Sequence, residues 1–155
     1  MATSGDCYAD GLNTSRTVSL WYYAGCTGTG IELTSANGFL NTSPGGLDID
    51  INHNLVSIDY KVNGGGTSQV WVYSGCSTLS CTLVGGPLPL TNGQAEFGHL
   101  NRLSTRFVTA NFQYGQIDIY KYTTTPTLTY KFSFNNHLAI GLDVLGAAYK
   151  PASSQ

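Results

Sequence analysis

An all-β fold is what this 155-residue sequence predicts, and three observations carry the prediction. Ten Tyr, six Phe, two Trp and 19 Gly accompany many Ser, Thr and Asn, which suits strands joined by tight turns far better than helices built from Ala, Glu, Leu and Lys. Polarity alternates with a period of two in Thr17-Val18-Ser19-Leu20, in Val56-Ser57-Ile58-Asp59-Tyr60-Lys61-Val62 and in Gln116-Ile117-Asp118-Ile119-Tyr120-Lys121-Tyr122, the pattern of strands with one buried face. Turn signals such as Asn37-Gly38, Pro44-Gly45-Gly46, Asn63-Gly64-Gly65-Gly66 and Asn92-Gly93 recur at roughly 8–12 residues, the spacing of a sandwich or barrel.

In chain order, the pattern places strands at Thr17–Leu20, Ile31–Thr34, Leu47–Ile51, Val56–Val62, Gln69–Tyr73, Thr82–Val84, Leu103–Thr109, Gln116–Tyr122 and Thr127–Phe134. A one-turn helix near 138–145 is compatible with the pattern but not required. The length is that of one domain, here residues 1–155, able to bury roughly 70% of the surface of its unfolded chain.

Charged residues make up 10% of the chain against a usual value of about 25%, and the aromatic content is high, so intrinsic disorder is excluded. Seven Lys and Arg stand against nine Asp and Glu, a net charge of −2. With no basic stripe to neutralise phosphates, nucleic acid is not an expected partner. No run approaches the ~20 apolar residues that span a bilayer; the longest, 138–148, is cut by Gly141, Asp143 and Gly146. A soluble protein is expected, with Met1 read as an added start codon on a mature chain, since no signal-peptide pattern follows it.

The four cysteines, Cys7, Cys26, Cys76 and Cys81, lack the paired ligand spacing of a metal site. Disulfides fit better, and of three connectivities Cys7–Cys26 and Cys76–Cys81 are favoured: the first ties down the N-terminal arm, the second closes a short loop after a strand. Two Asn-x-Ser/Thr triplets, Asn13-Thr14-Ser15 and Asn41-Thr42-Ser43, agree with secretion, although Pro44 after the second makes it the poorer acceptor.

Two segments repeat. Ser19-Leu20-Trp21-Tyr22-Tyr23-Ala24-Gly25-Cys26 lies on Gln69-Val70-Trp71-Val72-Tyr73-Ser74-Gly75-Cys76, and the segment from Asn52 to Tyr60 lies on that from Gly98 to Phe107 with one residue inserted. A fainter third copy runs from Ile117 to Asp143. On these residues, from about 16 to 112, the chain resembles the paired Greek-key motifs of βγ-crystallin domains of the microbial type. The resemblance implies two Greek keys forming a sandwich, with 113–155 as a C-terminal β extension or third partial repeat. It also implies degenerate calcium loops in which Asn54, Ser57, Asn101 and Ser104 match the signature. His53, Leu100 and Ile58 stand where the family has oxygen-bearing residues, and neither loop holds a carboxylate, so any calcium binding is expected to be weak. Three units of about 50 residues also suit a β-trefoil, where Gln69-Val70-Trp71 looks like a lectin element; another β-sandwich is the remaining alternative.

No catalytic constellation is complete. The three histidines, His53, His99 and His137, each precede a strand, as turn geometry requires. The scarce carboxylates, with Asp48 and Asp50 alternating with Leu47, Ile49 and Ile51, read as surface charge on strands, and Asp59 and Asp118 read the same way. Trp21 and Trp71 read as core residues of a duplicated strand, whereas Tyr22, Tyr23, Tyr120 and Tyr122 read as the exposed set available to a ligand. Aromatic and amide side chains on a nearly neutral surface are the combination that binds sugars. The expectation is therefore a secreted, non-catalytic recognition protein, a monomer or weak homodimer without a cofactor, lectin-like or acting on a cell surface in defence or attack. The alternative is a structural or stress-related protein of the βγ-crystallin kind.

Overall fold

The computed structural model describes residues 5–43, 45–60, 66–91, 93–111 and 113–135. Eleven strands are present among them: β1 (Cys7–Leu12), β2 (Val18–Tyr23), β3 (Ile31–Leu33), β4 (Leu47–Ile49), β5 (Leu55–Asp59), β6 (Gln69–Ser74), β7 (Thr82–Pro89), β8 (Ala95–Leu100), β9 (Arg106–Asn111), β10 (Gln116–Thr123) and β11 (Thr127–Asn135). Every pairing is antiparallel. The only helical pieces described are three-residue 3-10 turns, among them Ala24–Cys26, Ser35–Asn37 and Cys76–Thr78. The protein is all-β, as the alternation predicts. The helical turn considered near 138–145 lies outside the described residues.

Three sheets form, in the orders β1-β2-β3, β4-β5-β6-β7 and β8-β9-β10-β11. Strands adjacent in the chain are adjacent in space, so each sheet is a meander. Three sheets stand where the resemblance implied the two of a paired-key sandwich. Residues 113–135 supply β10 and β11, which complete the sheet begun by β8 and β9.

The middle sheet, β4–β7, is covered on both faces at its centre, β5 and β6, while β7 is mostly exposed. One core joins it to the first sheet through Leu20, Leu33, Phe39, Leu55, Tyr73, Cys76 and Cys81. The other joins it to the third through Val56, Ile58, Val70, Val72, Phe107, Tyr120 and Tyr122. Along β5 the side chains alternate between the two cores, and every residue from Leu55 to Asp59 is buried. Three packed layers are an uncommon but recognised solution for one domain. They correct the expectation that Asp50, Asp59 and Asp118 lie on solvent-facing strand surfaces: all three are buried, because another part of the protein covers the face on which alternation puts them.

Both expected disulfides are present, Cys7–Cys26 and Cys76–Cys81. The repeated Trp-x-Tyr-x-Gly-Cys segments share a local course: each is a strand followed by a glycine with positive φ (Gly25, 59°; Gly75, 74°) and then a cysteine in a 3-10 turn. β1 and β8 are strands that sequence pattern missed, since Ala9, Asp10, Gly11 and Gly98 have little intrinsic preference for them.

The turn after β3 is locked to the second disulfide loop, with Cys81 N–H donating to the Asn37 carbonyl at 2.7 Å. Gly38 sits there at φ +84°, and a Cβ on it would meet the Cys81 carbonyl oxygen at 2.1 Å. Gly28 has a similar φ of +73° with open space around it. Gly38→Ala is expected to cost about 2–4 kcal/mol, and Gly28→Ala about 1 kcal/mol from the left-handed backbone alone. Urea unfolding of both variants checks this; equal costs would show that the close approach is unimportant.

Candidate functional site

The first and second sheets meet at a groove of about 200 Å³ lined by Asp6, Cys7, Tyr8, Leu47, Asp48, Ile49 and Leu55. β1 contributes Tyr8, whose ring packs on that of Tyr22 at 5.5 Å and 44°. The Cys7–Cys26 disulfide holds this end of β1 against the turn after β2. Asp6, just before β1, accepts from the Tyr22 hydroxyl at 3.0 Å and from Gly25 N–H at 2.9 Å. Across the groove, Leu47 and Ile49 of β4 pack into the first core, and alternation turns Asp48 the other way. Its carboxylate accepts from Ile49 N–H at 2.8 Å and from Leu100 N–H of β8 at 2.7 Å, and the half-exposed His99 ring lies 3.7 Å away. Burial raises the Tyr8 and Tyr22 hydroxyls above the ordinary tyrosine range, so both are neutral donors at physiological pH. The groove thus has an apolar floor, one aromatic wall and one carboxylate, Asp6, already oriented by hydrogen bonds, while the Asp48 carboxylate is turned to β8.

Of the aromatic set expected to be exposed, Tyr22 and Tyr23 are half-buried; Tyr22 backs the groove through Tyr8. Tyr120 and Tyr122 correct the expectation: each is 1% exposed. The Tyr120 hydroxyl accepts from Thr91 N–H at 3.1 Å, and the Tyr122 hydroxyl donates to Asp50 at 2.9 Å. Burial pushes Tyr120 up to about 12 and Tyr122 higher still. Both belong to the second core, because their polar tips find partners inside. Trp21 and Trp71, expected in the core, are half-buried instead, and the Trp71 indole N–H is buried with no partner among the described residues.

The calcium signature falls on a hairpin that occurs three times, once in each sheet. Asn13, Asp50 and Asn101 each open a turn in which their carbonyl accepts the N–H three residues on, from Arg16, His53 and Ser104 at 2.9, 2.9 and 2.8 Å. Those three residues all have positive φ, at 59°, 64° and 50°. The opening side chain then accepts further backbone N–H groups: Ser15 and Thr17, Asn52 and Asn54, Thr105 and Arg106. This is a type I turn followed by a left-handed residue, capped by an Asx oxygen, and the third copy is one residue longer.

The structural register therefore sets Asp50 on Asn101 and His53 on Ser104, where the sequence comparison had set Asn54 on Asn101 and Ser57 on Ser104. Asn54 closes its own loop by donating to Asp50 at 3.0 Å. Ser57 is buried in β5 and accepts from Asn41 at 2.7 Å. The Ser104 hydroxyl accepts from Ile51 N–H at 2.8 Å, so two of the hairpins do touch, through a hydroxyl tied to backbone. Among the described residues, no three His, Cys, Asp or Glu side chains gather as a metal site would require.

Sequence reasoning passed over Asp6 and Tyr8 as site residues. The available signal was Tyr8 beside Cys7: a disulfide-anchored aromatic next to an acidic residue. A scan against protein-family models, a search of curated proteins and a search of solved structures each returned no match. What the structure defines is a class, an all-β protein of three antiparallel sheets.

β1 also carries Asp10, which accepts from Gly45 N–H at 3.0 Å, and burial pushes its carboxyl up to about 6. A carboxyl whose folded value lies above its unfolded one favours the folded state when protonated, and that benefit is lost as pH rises from about 4 through about 6. Asp10→Asn keeps an acceptor for Gly45 without the charge. It is expected to stabilise the protein by about 1–2 kcal/mol at pH 7.5, after discounting for partial exposure, and to change little at pH 4. Thermal unfolding at the two pH values checks this; equal shifts at both would contradict it.

Proposed function

We propose that this is a secreted, non-catalytic recognition protein that binds a glycan of a cell surface in the groove between β1 and β4. The observation that carries the reading is the Tyr8 ring beside the pre-oriented Asp6 carboxylate, over a floor of Leu47, Ile49 and Leu55. An aromatic face covers the C–H patch of a sugar ring, and carboxylates accept from its hydroxyls. Because Asp6 and Tyr8 are fixed by hydrogen bonds, a neighbouring disulfide and ring packing, little side-chain freedom is lost on binding. At about 200 Å³ the groove is smaller than the roughly 300–1,000 Å³ of drug-sized pockets, a size suited to one sugar ring of a longer chain. Two disulfides favour an oxidising compartment, in line with an extracellular role, and no helix among the described residues is long and apolar enough to cross a membrane.

The alternative is a structural or stress-related role of the βγ-crystallin kind, supported by the repeated Trp21–Cys26 and Trp71–Cys76 segments. A glycan array separates the two, because a protein whose task is stability alone leaves it blank. For a glycan found there, Tyr8→Ala is expected to weaken binding about tenfold, the value of one aromatic contact of about 1.4 kcal/mol, while Tyr120→Phe binds as wild type. A blank array, or unchanged affinity in a folded Tyr8→Ala protein, would overturn the proposal.

A further inference from the structure

The two Asn-x-Ser triplets are in opposite situations in the fold. Asn41 is 7% exposed. Its Nδ2 donates to the Ser57 hydroxyl at 2.7 Å and to the Ile58 carbonyl at 3.2 Å, and its Oδ1 accepts from the Tyr73 hydroxyl at 2.8 Å. Both amide hydrogens and the oxygen are thus committed between the first and second sheets, and a sugar on Nδ2 would have to displace Ser57 or Ile58 from the core. Asn13 opens the β1–β2 hairpin, and Thr14, Ser15, Arg16 and Thr17 after it are all exposed. Its Oδ1 accepts from Ser15 N–H at 3.0 Å and Thr17 N–H at 2.9 Å. Its Nδ2 donates to Glu32 at 2.8 Å, and its second hydrogen has no acceptor among the described residues, on a loop that is exposed.

We propose that Asn13 is an N-glycosylation site of this protein and that Asn41 stays unmodified in every folded molecule. The donor is a lipid-linked oligosaccharide pyrophosphate of a secretory pathway. The Asn13 Nδ2–C1 bond forms as the C1–oxygen bond to the pyrophosphate breaks, and the amide loses one proton to a base of the transferase. The Oδ1 bond to Ser15 N–H brings the side-chain amide of Asn13 back over Ser15, whose hydroxyl is the second element that the triplet supplies. One Nδ2–H remains after the bond forms, and Glu32 is the acceptor beside it. The inference rests on the extracellular reading but not on the glycan-binding groove.

The full chain, secreted from a glycosylating eukaryotic host, is analysed by intact mass before and after peptide-N-glycosidase, with thiol alkylation as a parallel readout. One glycan per chain is expected, at Asn13. It disappears in Asn13→Gln and in Ser15→Ala, the latter keeping the backbone N–H that Asn13 caps, and it persists in Asn41→Gln. A secreted chain with both disulfides closed and no glycan, or a folded chain carrying sugar at Asn41, would overturn the proposal. Four alkylatable thiols would instead show that the compartment reading has failed.

Discussion

The centre of the second sheet, β5 with most of β6, is buried between two cores, so its polar groups must be satisfied from within, and the rest of the structure depends on how that is done. Asp59, fully buried, accepts from Thr42 and Ser43 N–H and from the Thr42 hydroxyl, which draws the segment after Phe39 over β5. Asp50 accepts from two N–H groups of its own hairpin, from Asn54 and from Tyr122 of the third sheet. Asp48 reaches Leu100 N–H in that same sheet. A buried carboxylate without donors is costly enough to unfold a domain of this size, whereas one with two to four donors is held firmly. The donors are peptide N–H groups, hydroxyls and amides, which suits a chain with seven Lys and Arg.

The candidate site follows from the same constraint. β4 is only three residues long, and its alternation sends Leu47 and Ile49 into the first core while Asp48 faces the third sheet. The groove lies where that short strand meets β1, and its depth is set by the Cys7–Cys26 link and by Asp6, which holds both Tyr22 and Gly25. Recognition surfaces on a rigid scaffold are common at such seams between packed layers. The three related hairpins at Asn13, Asp50 and Asn101 then act as turning points of the three sheets, and one of them, at Asn13, is exposed, with one amide hydrogen that has no acceptor among the described residues.

Fold class and disulfide pairing were legible in the sequence because both rest on local rules. Period-two runs such as Gln116–Tyr122 form strands whichever layer they join, and cysteines five residues apart after a strand have few other partners. Burial was not legible for Asp50, Asp59 or Tyr122, because a polar residue on the off-face of a strand looks the same in sequence whether water or a third sheet covers it. Tyr122 read as exposed for its hydroxyl, and that hydroxyl is what ties it to Asp50. The hairpin repeat was half legible. Asn101 and Ser104 were singled out, but identity of residue type drew Asn54 and Ser57 onto them, while the shared property is an Asx oxygen followed three residues later by a left-handed backbone. Asn13 belongs to the same set and has no residue in common with Asp50-Ile51-Asn52-His53 that a comparison by letter would find. The groove was invisible for a further reason: Tyr8 of β1 and Leu47 and Ile49 of β4 are far apart in the chain and come together only once the first two sheets pack.

If polar links between layers hold the protein together, the bond from Tyr122 to Asp50 is the one to measure, since it crosses from the third sheet to the second over 72 positions. A double-mutant cycle with Tyr122→Phe, Asp50→Ala and the double variant, followed by urea unfolding, isolates it. The account predicts a coupling of about 1–3 kcal/mol, as for a buried hydrogen bond to a charged group. Strictly additive losses would contradict it, and would mean that apolar packing alone holds the second and third sheets together.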